Sequence, residues 1–356
     1  MIDFSRIWER KQTIVGLLII AGMLASVLLL TPGNTFRQLD NIIIEAGFLS
    51  ATLQAAVPIA MAGVGGLYAE KSGVINIGLE GLLIVSAFSS VAVTYFANNA
   101  VGDQTAVWIG FFAAVLVSTI FALLFAIICI EFKADQIIAG LAIWLLALGF
   151  APFASKAIWG QVNSVGVPIF NRITVPILAD IPIIGQVFFN AFPTTYITLL
   201  VVPVAWYVLN YTPYGTWVKA SGEHPEALDT AGVNVRKIRY SGVIISGILC
   251  GVGGASLTLS SAGRFIGTGP TMVDGRGFIG IVTYLMGNYN PLGTFASALL
   301  FAGLDAFQIR LQNIGIAVPA ALVGIIPHIS VIVVLVFFGY TRIPAEAGEH
   351  YEAGEE

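Results

Sequence analysis

An all-α integral membrane fold is predicted by three features of this 356-residue sequence. Hydrophobic residues make up 57% of it and charged residues only 10%, where soluble domains carry about a quarter charged. The mean hydropathy is +0.89. Runs of nearly uncharged residues recur from end to end, and eighteen or so residues at about 1.5 Å each approach the thickness of a ~30 Å hydrocarbon core. A soluble multidomain architecture is excluded by the same features. The net charge of −4 comes largely from the acidic end, Glu346, Glu349, Glu352, Glu355 and Glu356, so it gives no ground for nucleic-acid binding. That tail is expected to be solvated and disordered.

The first element is the apolar run 14–30, preceded by Arg6, Arg10 and Lys11. It lacks a convincing A-x-A cleavage site and opens a chain of further spans, so an uncleaved first helix with a cytoplasmic N-terminus is expected. The remaining spans are expected near 42–68, 74–96, 107–130, 137–153, 196–209, 242–259, 277–289, 292–309 and 318–338. Ten crossings return the C-terminus to the cytoplasm. This arrangement places ten Lys and Arg inside and six outside, a bias of the right sign. Spans two to five and seven to ten then form two groups of opposite orientation, the layout of an inverted repeat. The expected organisation is a transmembrane domain over 1–340, carrying a cytoplasmic loop at 211–240, followed by the acidic tail 341–356. Cys129 and Cys250 lie in apolar runs without metal-ligand spacing and are expected to be small buried side chains.

Several spans are unusual. The second carries Pro58 and the cluster Gly63, Gly65 and Gly66, and the eighth and ninth meet at Asn290-Pro291. Such positions either break helices where they line a cavity or let helices pack closely. Gly247, Gly251 and Ala255, spaced by four, favour close approach of another helix. In Ala69–Gly81, AEKSGVINIGLEG, a charged turn leads into a helix expected to carry Asn76 and Glu80 four residues apart and thus on one face. A carboxylate at membrane depth costs about 2.5–3.5 kcal/mol on insertion scales. Glu80 should therefore meet backbone donors or line a pathway, and Asn76 and Gln136 share those two readings. Asp305, in FAGLDAFQ, either anchors a helix end or belongs to the pathway.

The loop Tyr211–Tyr240 is the long polar, basic stretch between spans. Pro225 suits a first helical position, Glu223 or Glu226 suits a helix N-terminus, and Gly232 can end a helix, which predicts a two-turn element over 225–231. Ala227, Leu228 and Ala231 would share a face. Small side chains on a short cytoplasmic helix fit a groove on a partner protein better than a lipid surface, which calls for bulkier anchors. His224, His328 and His350 are scattered, with no catalytic or metal-binding spacing, so an enzyme is the least favoured class. An ion-coupled transporter would need Glu80 and Asp305 close together.

Three segments in order, Ala69–Gly81, Asp135–Gly149 (DQIIAGLAIWLLALG) and Lys219–Val235 (KASGEHPEALDTAGVNV), resemble permease subunits of ABC importers of the branched-chain amino acid and simple-sugar type. The Asn290-Pro291-Leu292-Gly293 turn and Pro319 fit the same pattern. The similarity is greatest to the branch that imports nucleosides with a lipoprotein binding subunit, and it covers about Leu49 to Phe338. The resemblance implies a multi-pass cell-membrane subunit that passes a small polar solute. It also implies a separate ATPase carrying ATP and Mg, a second related permease forming a heterodimer, and an extracytoplasmic binding lipoprotein. In it, Gly222–Gly232 corresponds to the coupling helix, with Glu226-Ala227-Leu228 resembling its Glu-Ala-Ala core. Lys219, Glu223, His224 and Pro225 belong to the same motif. Lys219 stands where arginine is usual, His224 where asparagine is usual, and Asn288 where a basic residue is common. The sequence has no G-x-x-x-x-G-K-[ST] loop, so ATP hydrolysis is expected in another subunit. The solute itself is not legible, and importers of simple sugars or branched-chain amino acids stay open.

Overall fold

The computed structural model describes residues 46–313 and 342–351. The spans expected at 14–30 and 318–338, Pro319, and the acidic residues Glu352, Glu355 and Glu356 lie outside the described residues. Among the described residues seven helices are long and apolar enough to cross a membrane, and the protein is an all-α integral membrane protein.

The elements follow the apolar runs. Helix α1 is Ala46–Lys71, α2 Leu79–Val101, α3 Asp103–Ala126 and α4 Gln136–Trp159. Two short strands, β1 (Ile173–Thr174) and β2 (Asn190–Ala191), flank the small helix α5, Ile184–Phe188. Then come α6 Pro193–Tyr211, α7 Pro213–Glu223, α8 Pro225–Thr230, α9 Val235–Leu257, α10 Arg276–Met286 and α11 Pro291–Asn313. Helices α3 and α9 each run into a π-helical turn, Ile127–Glu131 and Thr258–Ala262.

Two compact units are present. One comprises residues 46–55, 174–191 and 299–313, and the other 56–173, 192–298 and 342–351. In the smaller unit 174–191 folds on itself, with the Val175 amide donating to the Phe189 carbonyl at 2.9 Å.

The larger unit is organised around α2 and α9. Their apolar windows are 83% and 78% buried, against 33% for the span that begins with α3 and 28% for α4. The first pair is therefore the core, and the second pair turns an apolar flank outward. Phe112, Leu116 and Ile120 on α3 recur at helical spacing and are exposed, the pattern of a lipid-facing stripe. The small residues of α9 serve packing: a Cβ on Gly251 would stand 2.5 Å from the Val115 Cα, and one on Gly247 2.5 Å from the Ala122 Cβ. Gly65 likewise faces the Ser246 backbone at 2.9 Å. Helix α1 runs unbroken through Pro58, so these glycines support close approach.

Helix α10 differs from the expected span. Its 11 residues rise about 17 Å, too little to cross a ~30 Å core. It is a half-helix with one end inside the protein.

Candidate functional site

The first departure from regular helix falls between α1 and α2. Gly73 has φ +98°, a conformation that ends α1 without strain in glycine alone. The helix expected from residue 74 starts at Leu79, and Ser72, Gly73, Val74, Asn76 and Gly78 are buried in non-helical backbone. Buried amides and carbonyls of this kind need partners, and polar side chains supply them. The Gln136 side-chain oxygen accepts from the Ile75 amide at 2.7 Å. The Asn76 side-chain oxygen accepts from the Gly78 amide at 3.0 Å, while its NH2 donates to the Ser246 hydroxyl on α9 at 2.8 Å. The Ser221 hydroxyl donates to the Ser72 carbonyl at 2.8 Å. Asn76 and Gln136 thus brace a broken segment. The expected shared helical face of Asn76 and Glu80 is not formed, because Asn76 precedes the helix and turns to α9.

Glu80, only 2% exposed, turns to α10. Its Oε1 accepts from the Gly275 amide at 2.8 Å and its Oε2 from the Gly277 amide at 2.7 Å. These are orphan donors at a helix N-terminus, where a negative charge is favoured. A side chain at Gly277 would collide with the Glu80 backbone, so glycine is needed for the approach. Asp305 is half-buried on α11, in the smaller unit.

The other end of α10 is held by a group that the spacing of the sequence does not single out. Glu70, 5% exposed, accepts hydrogen bonds from the hydroxyls of Tyr284 and Tyr289, one on each oxygen. Lys71 stands 4.9 Å from the centre of the Tyr289 ring and 3.9 Å from the Glu223 carboxylate. Two acids of the 70–80 stretch therefore clamp α10 at both ends. A charged turn beside an apolar run is the only trace of this in the sequence, since the tyrosines lie more than 200 residues away.

The polar loop folds as three consecutive helical pieces. Thr212 caps α7 through the Gly215 amide at 3.2 Å, and Asn234 caps α9 through the Lys237 amide at 2.9 Å, both by side-chain oxygens at N-cap positions. Lys219 donates to the Asn210 side chain at 3.0 Å. A Cβ on Gly222 would stand 2.5 Å from the Lys71 carbonyl, so α7 lies directly on the end of α1. Burial pushes the Tyr214 hydroxyl above its ordinary pKa, leaving it protonated opposite Ser241 at 2.7 Å.

Helix α8 begins at Pro225 as expected and ends one residue earlier than expected, with Gly232 at φ +80°. Its face is different. Leu228 is 4% exposed and Pro225 buried, whereas His224, Glu226, Ala227, Thr230 and Ala231 are exposed and Glu223 is half-buried. Leu228 is a root rather than part of the outer face shared by Ala227 and Ala231. The His224 side chain makes no cap. Beside α8, Arg236 grips Glu131 with Nε at 2.6 Å and with Nη2, and the Tyr240 hydroxyl adds 2.7 Å to the same carboxylate.

The tail also differs from expectation. Residues 342–351 lie against the protein instead of hanging in solvent: the Glu346 amide donates to the Gly222 carbonyl at 2.9 Å and the Gly348 amide to the Gly73 carbonyl at 3.2 Å. Tyr351 lines one cavity with Asp229, and burial together with that carboxylate pushes its pKa up.

Residues 48–337 match the family described as branched-chain amino acid transport system, permease component. Among similar proteins, the guanosine ABC transporter permease protein NupQ of Bacillus subtilis is 35% identical over 322 residues, covering 89% of this chain and 100% of that protein. A putative glucose ABC transporter permease protein, TsgC13 of Haloferax volcanii, is 36% identical, covering 79% and 83%. The nucleoside ABC transporter permease protein NupC of Lactococcus lactis is 32% identical, covering 83% and 93%. No solved structure matches the chain. With most of its length matched and its apolar helices crossing the membrane several times, the chain belongs to the family of permease components of branched-chain amino acid transport systems.

Proposed function

We propose that this chain is the permease subunit of an ATP-driven importer in the cell membrane and that its cargo is a nucleoside. The observation that carries the coupling part of this reading is α8. It offers Glu226, Ala227, Thr230 and Ala231 to solvent while Leu228 and Pro225 root it in the protein. The neighbouring α7 lies on the end of α1 through Gly222. A short rooted helix with small outward side chains suits a groove on an ATPase.

In this reading a separate ATPase binds ATP and Mg, and its closure displaces α8. The push passes from α7 to the 72–78 segment through Ser221 and Gly222. From there Glu70 and Glu80 carry it to both ends of α10. The coupling surface comprises Lys219, Gly222, Glu223, His224, Pro225, Glu226, Ala227, Leu228 and Gly232, while Asn76, Glu80 and Gln136 brace the moving segment. Both oxygens of Glu80 are committed to backbone amides, which favours bracing over contact with the solute and over ion coupling. Asp305 is assigned a helix-anchoring role on α11. Ten crossings with cytoplasmic termini, the eighth made by α10 together with the non-helical residues 263–275 before it, an inverted repeat, a second related permease and an extracytoplasmic binding lipoprotein complete the assembly.

The nucleoside assignment draws on the relatives named for guanosine and nucleosides, and the glucose name of the archaeal relative supplies the second reading. Purification of the chain from its native membrane, identification of the co-purifying subunits, and uptake of labelled guanosine and labelled glucose into vesicles test all parts together. The expected result is a complex with an ATPase and ATP-dependent guanosine uptake. Uptake of glucose alone replaces the cargo but keeps the importer. A chain that purifies alone and transports down an ion gradient overturns the reading.

A further inference from the structure

The segment Arg342–Tyr351 touches separate pieces of one face of the protein. The Arg342 amide donates to the Asn288 side chain in the turn between α10 and α11 at 3.3 Å. The Glu346 amide reaches Gly222 at the end of α7, and the Gly348 amide reaches Gly73 in the broken segment. Arg239 of α9 donates from Nη1 to the Glu349 carbonyl at 2.6 Å. Tyr351 closes the series beside α8, where it lines one cavity with Asp229.

Two features distinguish this contact from casual packing. Gly348 takes φ +89°, and a Cβ there would stand 3.0 Å from the Ile75 side chain, so the strap is shaped to the segment below it. Arg239 is 4% exposed, yet its Nε and Nη2 have no hydrogen-bond partner among the described residues. A buried guanidinium normally has its protons satisfied. Here the tail supplies the carbonyl that accepts from its Nη1, and the Tyr351 ring centre lies 6.0 Å away. Helix α8, with six residues, is far below the length at which a helix is stable alone. It transmits force only as well as its attachments are stiff.

We propose that Arg342–Tyr351 is a strap that joins the coupling helix α8 and the end of α7 to the broken segment 72–78 and to the α10–α11 turn, so that they move as one body when α8 is displaced. The strap is a positioning element and leaves the outward face of α8 uncovered. The proposal rests on the reading of α8 as the ATPase-docking helix.

The test uses the full complex in lipid vesicles, with ATP hydrolysis and solute uptake measured on the same sample. Deletion of 344–356 and, separately, Tyr351→Ala are compared with the intact chain. The expected result is retained ATPase binding and near-normal hydrolysis. Uptake per ATP should be lower by about tenfold for the deletion and about threefold for Tyr351→Ala, the scale of one or two net hydrogen bonds. An unchanged uptake per ATP in both variants overturns the strap, even if protein yield and total rates fall together. If the deletion removes the permease from the membrane, Tyr351→Ala decides alone. An intact chain that captures no ATPase overturns the coupling reading, and the strap with it, before any variant is made.

Discussion

Glu80 and Arg239 are the two most deeply buried charged side chains among the described residues, at 2% and 4% exposure, and they are held in opposite ways. Both oxygens of Glu80 are filled by amides of a helix start, with Gly277 admitting the approach. Arg239 has two nitrogens without a hydrogen-bond partner among the described residues and donates from Nη1 to the Glu349 carbonyl. Burial of a charge is costly, and full pairing offsets the cost. A fully paired charge makes a fixed joint, since any displacement exposes a deficit. An incompletely paired charge held by a strap makes a joint that can open.

That contrast breaks most visibly at Glu80. Replacement by leucine leaves the buried Gly277 amide and the partly buried Gly275 amide without acceptors, each worth roughly 1–3 kcal/mol at full burial, so Glu80→Leu is expected to destabilise the protein by about 2–5 kcal/mol. Glu80→Gln keeps an acceptor on one side and should cost about half as much. Thermal unfolding in detergent reads both. A Glu80→Leu protein with wild-type unfolding and wild-type uptake would remove Glu80 from the brace.

Gly222→Ala comes next. The added methyl group meets the Lys71 carbonyl at 2.5 Å, and overpacking of this kind costs about 1–3 kcal/mol. Because α7 must back away from α1, uptake per ATP should fall along with the unfolding temperature. Stability lost with coupling intact would show that this contact is packing alone. Tyr289→Phe has a smaller effect, since Glu70 retains Tyr284. The expected loss is about 1 kcal/mol, and a double-mutant cycle with Glu70→Gln should recover most of it as interaction energy.

The sequence carries the helical fold because hydropathy is a property of long stretches, and the expected spans over the described residues coincide with α1–α4, α6, α9 and α11 to within several residues, apart from the one at 277–289, which is the short α10. It carries less of the site. VINIG is as apolar as the helix after it, so periodicity places a span from residue 74, whereas Gly73 and the Asn76 and Gln136 side chains hold those residues outside the helix. The face shared by Asn76 and Glu80 failed for the same reason. Glu70 meets its tyrosines only after the chain has returned across the fold, and no local spacing encodes that. The part of the tail at 342–351 was misjudged because composition counts its carboxylates, while docking runs through the amides of Glu346 and Gly348 and a glycine turn. Leu228 shows the finer limit: helical spacing groups it with Ala227 and Ala231, but rooting α8 in the core requires the leucine to face the other way.

Glu226→Lys sharpens the comparison at its smallest structural effect. Glu226 is exposed in the first turn of α8, and a surface charge change of this kind shifts stability by about 0.5 kcal/mol or less, with a small added cost for placing a cation at a helix N-terminus. The unfolding temperature should therefore barely move, in contrast to Glu80→Leu. Docking of a partner reads the charge directly, so co-purified ATPase and uptake should fall together by about tenfold or more, as expected when one like-charge clash enters an interface. A variant that keeps its ATPase and its uptake places the docking surface away from α8, while leaving the clamp of α10 by Glu70 and Glu80 intact. On the proposed reading stability and coupling are separable by position: deep acids set the first, and the outward face of a six-residue helix sets the second.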